Sequence, residues 1–464
     1  MTDPEISLLD GGPVPPSRIA TLGDALLRAA GLGSPEGLCF VLPDGSELRQ
    51  TYLHLLMQAS RMLTGLRAAG LRPGEPVVLQ AAYPPDQLAA YWACQLGGFV
   101  ALPVAAGGTA AERQAAPQLL YRLWLRYDAP RVVTGPGQPL APGLVGDPRW
   151  PAARVGDTRE LLANPADHDW HQAAPDDLAV LLPVPPGHPG APGCVRLSHR
   201  NVLSRSAAGA AADGLGRASR TLNWLPLDEP GGLLMCHTRD VFLGCHQVHA
   251  SPEWVRADPL RWLDAVDRYR ADTTWAPDCA FHFVNALAER PGGRSWDLSS
   301  LRNVMNAGTA VRSSVLRRFL DVLAPFGLAA DAVQVGWGRP ETSAVVAGGR
   351  FTDLGPGEHR FVPVGRPQPG TLLRCVDEND RPVAPGRVGR LQVSGPAVSA
   401  GYHRDPELTR AAFTPDGWFR TGDLARIRDG VLAVTGRVAA TPARAATPAR
   451  APRLRVPVGG GVLV

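Results

Sequence analysis

Short Val- and Leu-rich runs that keep alternating with helix-period stretches constrain this chain more than any other feature. "TLGDALLRAAGL" and "TYLHLLMQASRMLTGLRAAGL" place apolar residues at i, i+3, i+4 and i+7; "GEPVVLQAA" is a short apolar strand, and "PDQLAAYWACQLGG" is a further helix ending on glycines. The alternation returns downstream, with strands in "LAVLLPV", "TLNWLPL" and "TTWAP" and helices in "HRNVLSRSAAGAAA", "PLRWLDAVDRYR" and "AFHFVNALAER". Strands too apolar for a solvated face, separated by helices, predict mostly parallel sheets covered on both sides, the α/β class. After residue 360 the pattern changes to short strands broken by Gly, Pro and Asp turns, as in "TLLRCVDENDRPV", "GRVGRLQVSGPAV" and "GVLAVTGR", which predicts a small antiparallel β unit. The expected organisation is a first α/β subdomain over 1–174, a second over 175–360 carrying the site, the β subdomain over 361–437, and a disordered tail over 438–464. That tail repeats A-T-P-A-R, holds no acid and ends near three glycines, a composition that cannot bury a core.

The chain has 464 residues, 45% hydrophobic and 19% charged, as expected of an ordinary globular protein. A net charge of +4 with arginines and acids interleaved argues against a nucleic-acid or membrane-surface role. No signal-peptide pattern and no long uninterrupted apolar run is present, so the expected location is the cytoplasm. The seven cysteines are scattered and form no CxxC, which predicts free thiols. Cys236, His237, Cys245, His246 and His249 bunch together in sequence, but inside an apolar stretch without metal-finger spacing; buried core is the expectation, zinc the lesser one. All 47 basic residues are arginine and none is lysine. A GC-rich coding sequence accounts for that on the surface, but an arginine fork cannot replace a compact ammonium that must reach one oxygen.

Four segments, in order, resemble the adenylate-forming superfamily: "VMNAGTAV", "GWGRPETS", "GWFRTGDLARI" and "VTGR". The resemblance runs from about residue 20 to Arg437 and is similar above all to fatty acyl-AMP ligases and nonribosomal peptide synthetase adenylation domains. It implies ATP- and Mg²⁺-dependent activation of a carboxylic acid as acyl-AMP, then transfer to a thiol of CoA or of an acyl or peptidyl carrier protein. By the same resemblance Gly308, Thr309 and Ala310 would edge the purine, and Trp337 would lie near the adenine. Glu341 would hold Mg²⁺ as a hard oxygen ligand. Asp423, beside Thr421, would accept from both ribose hydroxyls, and Arg437 would meet phosphate or ribose.

The sequence departs from that family in four places. Where a Thr/Ser/Gly-rich phosphate loop with a lysine is expected, it reads "PVPPGHPGAPGCVRLSHRN": the lysine position falls on Gly193 and the hydroxyl pair on Pro185 and Pro186. Proline brings no N–H to an anion, leaving Gly187 and the side chain of His188 as the candidate phosphate contacts. Losing one donor aimed at developing charge costs about 10²–10³ in rate. Glu229 stands where relatives often carry histidine, and Pro340 replaces the Thr or Ser before the glutamate. Finally, the family continues through a hinge acid, here Ala440, into a lid domain carrying a second lysine. The Ala/Pro/Arg tail stands there instead, as a frameshift or natural decay would leave it, so a lid lent in trans is expected. Two functions follow: an adenylating ligase, impaired or lid-dependent, or a degenerate relative that binds nucleotide or acyl-adenylate, or acts as a scaffold.

Overall fold

In the computed structural model, residues 6–107, 109–184, 193–288, 292–352 and 362–438 are described. Two large mixed sheets and one antiparallel sheet make up the chain, as the strand periodicity predicts. The first has six strands in the order Arg154–Asp157, Arg131–Thr134, Pro76–Gln80, Val100–Pro103, Leu178–Pro183 and Cys194–Ser198. They run parallel except for the last pair, which is antiparallel. The second has nine, with parallel strands Leu38–Val41, His246–Ala250, Arg220–Asn223, Thr273–Ala276, Asn303–Asn306 and Val333–Arg339 at its centre and antiparallel strands at its edges. The third is a five-stranded antiparallel sheet of Leu8–Asp10, Leu372–Val376, Gly389–Ser394, Phe419–Arg428 and Val431–Arg437. The chain crosses between sheets, because Leu38–Val41 pairs with His246–Ala250 two hundred residues on. Such a pairing has no local signature in the sequence.

Alternate residues of single strands feed different cores, which is why the strands carry no polar face. Val77 and Leu79 join the same apolar cluster as Leu38 and Phe40 of the other large sheet, together with residues of the helices Leu22–Gly31, Tyr52–Ala68 and Pro84–Gly97. Val78 points the other way, into a cluster with Trp124 and Leu120, while Cys39 and Val41 face a third around Trp262 and Phe319. Three helices are thus sandwiched between two sheets. Local chemistry fixes their ends: Thr21 caps the first with a capping box closed by Asp24, and Ser198 does the same with Asn201 for the helix His199–Asp213. The helix Pro84–Gly97 stops at Gly98 in the left-handed region, φ 70°.

The Cys/His segment is core. Gly231–Thr238 forms a π-helical stretch that buries Cys236 and His237, and the two histidines at its heart are spent on hydrogen bonds. Trp92 Nε1 donates to His237 Nε2 at 2.8 Å, so Nδ1 carries the proton and donates to Gln247 Oε1, also at 2.8 Å. His249 Nε2 donates to the same oxygen at 2.6 Å, and its Nδ1 accepts from Asn223 at 3.2 Å. Burial drives His237 down to about 4 and lowers His249 strongly, so both rings stay neutral. With both nitrogens of each ring engaged, no lone pair is left for a metal. All seven cysteines are free, and only Cys279 is exposed. Among the described residues no helix is long and apolar enough to cross a membrane. The tail beyond residue 438, with its expected disorder, lies outside the described residues.

Candidate active site

The strand Val333–Arg339 ends in a bulge between Trp337 and Gly338, then a single tight turn, Pro340–Thr342. Gly338 is obligatory there: a Cβ would sit 1.9 Å from the Ala344 carbonyl oxygen across the hairpin. Thr342 locks the turn, its hydroxyl accepting from the Arg339 amide at 2.9 Å and donating to the Ala344 carbonyl at 2.7 Å. Ser343 and Ala344 follow with φ of 56° and 107°, uncommon for non-glycine residues and a sign of backbone strain. Trp337 and Arg339 thereby reach Asp423 on the antiparallel sheet, while Glu341 turns to Tyr402.

That sheet supplies Asp423 and Arg437, which lie directly opposite each other across the strands Phe419–Arg428 and Val431–Arg437. Asp423 is buried, and its two oxygens are both met: Oδ2 accepts from Trp337 Nε1 at 3.1 Å and Oδ1 from Arg437 Nε at 3.1 Å. Thr421 does not face outward; its hydroxyl donates to the Leu391 carbonyl at 2.9 Å and accepts from the Asp423 amide at 3.0 Å, fixing the backbone beneath the carboxylate. Glu341 is fully buried, and its Oε1 accepts a 2.6 Å bond from the Tyr402 hydroxyl. Burial, reinforced by the Glu341 charge, raises the Tyr402 phenol far above its ordinary range and keeps that proton in place.

Arg339 sits between the two acids. Its Nε lies 3.7 Å from Glu341 Oε2 and its Nη1 3.7 Å from Asp423 Oδ2, with only 12% of the side chain exposed. This residue occupies the variable place of the "GWGRPETS" motif and was indistinguishable in sequence from the other arginines. Tyr402, in "GYHRDPELT", was likewise missed, because nothing local marks a tyrosine that reaches a glutamate sixty-one residues away.

Gly308 and Thr309 follow the strand Asn303–Asn306 and line a cavity of about 730 Å³ together with Gly338, Arg339 and Trp275. Ala310 lies next in the same exposed loop, while Gly187 and His188 lie outside the described residues. The cavity therefore opens at the carboxyl ends of parallel strands, the usual place for ligands in such sheets. A second cavity, about 620 Å³, adjoins it, and Ala105, Leu225, Asp228 and Glu229 line both. Asp228 Oδ2 accepts from the Ala106 amide at 3.2 Å, and burial raises its pKa. Although the Glu229 side chain is solvent-exposed, partial desolvation by the surrounding cavity walls, and then the neighbouring Asp228 charge, pushes it up to about 7.

Glu229 thus retains its proton in the folded state well above the pH at which it ionises when unfolded. The fold binds more protons between about pH 4.5 and 7, so this group's contribution is most favourable below that window and falls as pH rises through it. Its carboxyl opens onto the cavities, where solvent screens part of the effect, so Glu229→Gln should stabilise the protein above pH 7 by about 1 kcal/mol. Urea midpoints of both proteins from pH 4.5 to 8 check this; parallel curves would contradict it.

The residues fit a nucleotide sugar at Asp423, a buried carboxylate whose donors can be exchanged for hydroxyls. They do not fit a resident Mg²⁺ on Glu341. At an effective dielectric of about 20, two unit charges 4 Å apart interact by about 4 kcal/mol, and twice that for a divalent ion. A metal on Glu341 would meet the Arg339 guanidinium at about that range as repulsion.

Comparison with known proteins agrees with this fold. The family model described as "AMP-binding enzyme" matches residues 29–403. The adenylation domain of a keto acid-selecting NRPS module, solved with keto acyl adenylate, superposes with a TM-score of 0.86 at 35% identity, covering 93% of this chain and 82% of that one. The structure of McyG A-PCP with phenylalanyl-adenylate gives 0.85 at 30% identity, covering 93% of this chain and 68% of that one. Atromentin synthetase of Tapinella panuoides is 29% identical over 441 residues, 90% of this chain but 45% of the relative. The chain thus spans about half the length of the curated relatives it matches. With the family model covering most of the chain, the protein belongs to the AMP-binding, adenylate-forming enzyme family.

Proposed function

We propose that this chain activates a carboxylic acid as acyl-AMP in a secondary-metabolite assembly line. The observation that carries the reading is the convergence of Trp337, Asp423 and Arg437 beside the cavity lined by Gly308 and Thr309. A carboxylate oxygen attacks the α-phosphorus of ATP, an acyl–O–P bond forms, and the bond to the departing pyrophosphate breaks. Asp423 holds the ribose, so that the α-phosphate lies towards the cavity. The acyl chain takes the apolar part beside Leu182, Val184 and Trp275, with the acid pair Asp228 and Glu229 at its far side. Transfer to a carrier-protein or CoA thiol follows.

An α-keto acid is the substrate class we favour, since the keto acid-selecting domain shares 35% of its residues with this chain. ATP–pyrophosphate exchange across a panel of aryl and alkyl α-keto acids and the matching amino acids tests this. Exchange highest with keto acids is the expected result; preference for the amino acids overturns the substrate class. No exchange with any acid, even with a relative's lid domain added, overturns adenylation and leaves the nucleotide-binding scaffold.

A further inference from the structure

The fully buried Glu341, on which the family resemblance would place a metal ion, already has a cation beside it from the same tight turn. Arg339 reaches 3.7 Å from Glu341 and 3.7 Å from Asp423, distances that give charge pairing but lie beyond hydrogen-bond range. Its Nε, though buried, has no hydrogen-bond partner among the described residues. The guanidinium therefore has donors to spare, and it lines the 730 Å³ cavity with Gly308 and Thr309. A planar fork with unspent N–H groups, facing a cavity between two carboxylates, is built to meet phosphate oxygens. The chain also has no lysine to do so.

We propose that Arg339 is the resident cation of the nucleotide site, neutralising phosphate charge in the place a metal on Glu341 would hold, so that ATP binding by this chain does not require Mg²⁺. This rests on the adenylate-forming reading above. It goes further, because it concerns a residue the family motif leaves open and reverses the metal requirement.

The test is calorimetric titration of ATP into the protein in EDTA and in excess MgCl₂, for the wild type, Arg339→Gln and Arg339→Lys. Wild-type affinity should differ by less than about threefold between buffers, while Arg339→Gln should weaken by at least about tenfold in EDTA and recover in part with Mg²⁺. Arg339→Lys, which keeps the charge, should bind in EDTA more tightly than Arg339→Gln. Thermal melts of the three proteins separate loss of fold from loss of the cation. Wild type that binds ATP only with Mg²⁺, or Arg339→Gln that binds in EDTA as well as wild type, overturns the proposal and leaves adenylation standing. Wild type that binds ATP in neither buffer overturns the nucleotide site itself, and the proposal with it.

Discussion

Asp423→Asn will weaken ATP and AMP binding by about 10²–10³-fold. A carboxylate that accepts from two ligand hydroxyls makes two charge-assisted bonds, each worth about 1.5–3 kcal/mol, and the amide keeps the shape while losing the charge and one acceptor. A loss of about 3–4 kcal/mol corresponds to that range of affinity. Trp337 and Arg437 already satisfy both oxygens at 3.1 Å, so the carboxylate is preorganised, and its donors need only be exchanged when the sugar arrives. Titration of AMP, which lacks the β- and γ-phosphates, reads the ribose contact with least interference from Arg339. Unchanged AMP affinity in the variant would show that the sugar does not meet Asp423.

Asp240→Ala will destabilise the fold by about 3–5 kcal/mol, the cost of breaking a buried ion pair from one side. Asp240 is fully buried, and its Oδ1 pairs with Arg239 Nη2 at 2.8 Å while the Thr221 hydroxyl donates to Oδ2. Arg239 also lies 4.0 Å from Asp213, and Arg205, 2% exposed, sits in the same cluster, where burial pushes it down to about 10. Removing Asp240 leaves two buried guanidiniums to share Asp213. Urea-unfolding midpoints at neutral pH measure the change, with Thr221→Val, which deletes one hydrogen bond and no charge, as the milder control at about 1 kcal/mol. Equal losses in the two variants would show that the charge cluster contributes nothing beyond a single hydrogen bond.

The pairing of Leu38–Val41 with His246–Ala250 and the two short cavity-lining segments around Ala105 and Asp228 illustrate what periodicity does not reach. Hydrophobic period is a local property, and it identified the helices Leu22–Gly31, Tyr52–Ala68 and Pro84–Gly97 and the strands Pro76–Gln80 and Leu178–Pro183 within a few residues of their ends. Which sheet each strand joins is decided by loop closure and burial over hundreds of residues, for which no window of sequence carries a signal. The site divides along the same line. Trp337, Glu341, Asp423 and Arg437 stood out because each lies in a short motif whose chemistry is local, and the fold brings them together.

Arg339 and Tyr402 act through space, so their identity in the sequence said nothing about their partners. The sequence alone determined the α/β class from its periodicity, and the resemblance of its motifs pointed to the adenylate-forming family and to the acids proposed for the nucleotide site. Only the tertiary structure decided that an arginine lies between those acids, and that His237 and His249 of the Cys/His run are tied into one hydrogen-bond network. Charge pairing and lone-pair use depend on distances of a few ångströms between residues far apart in the chain.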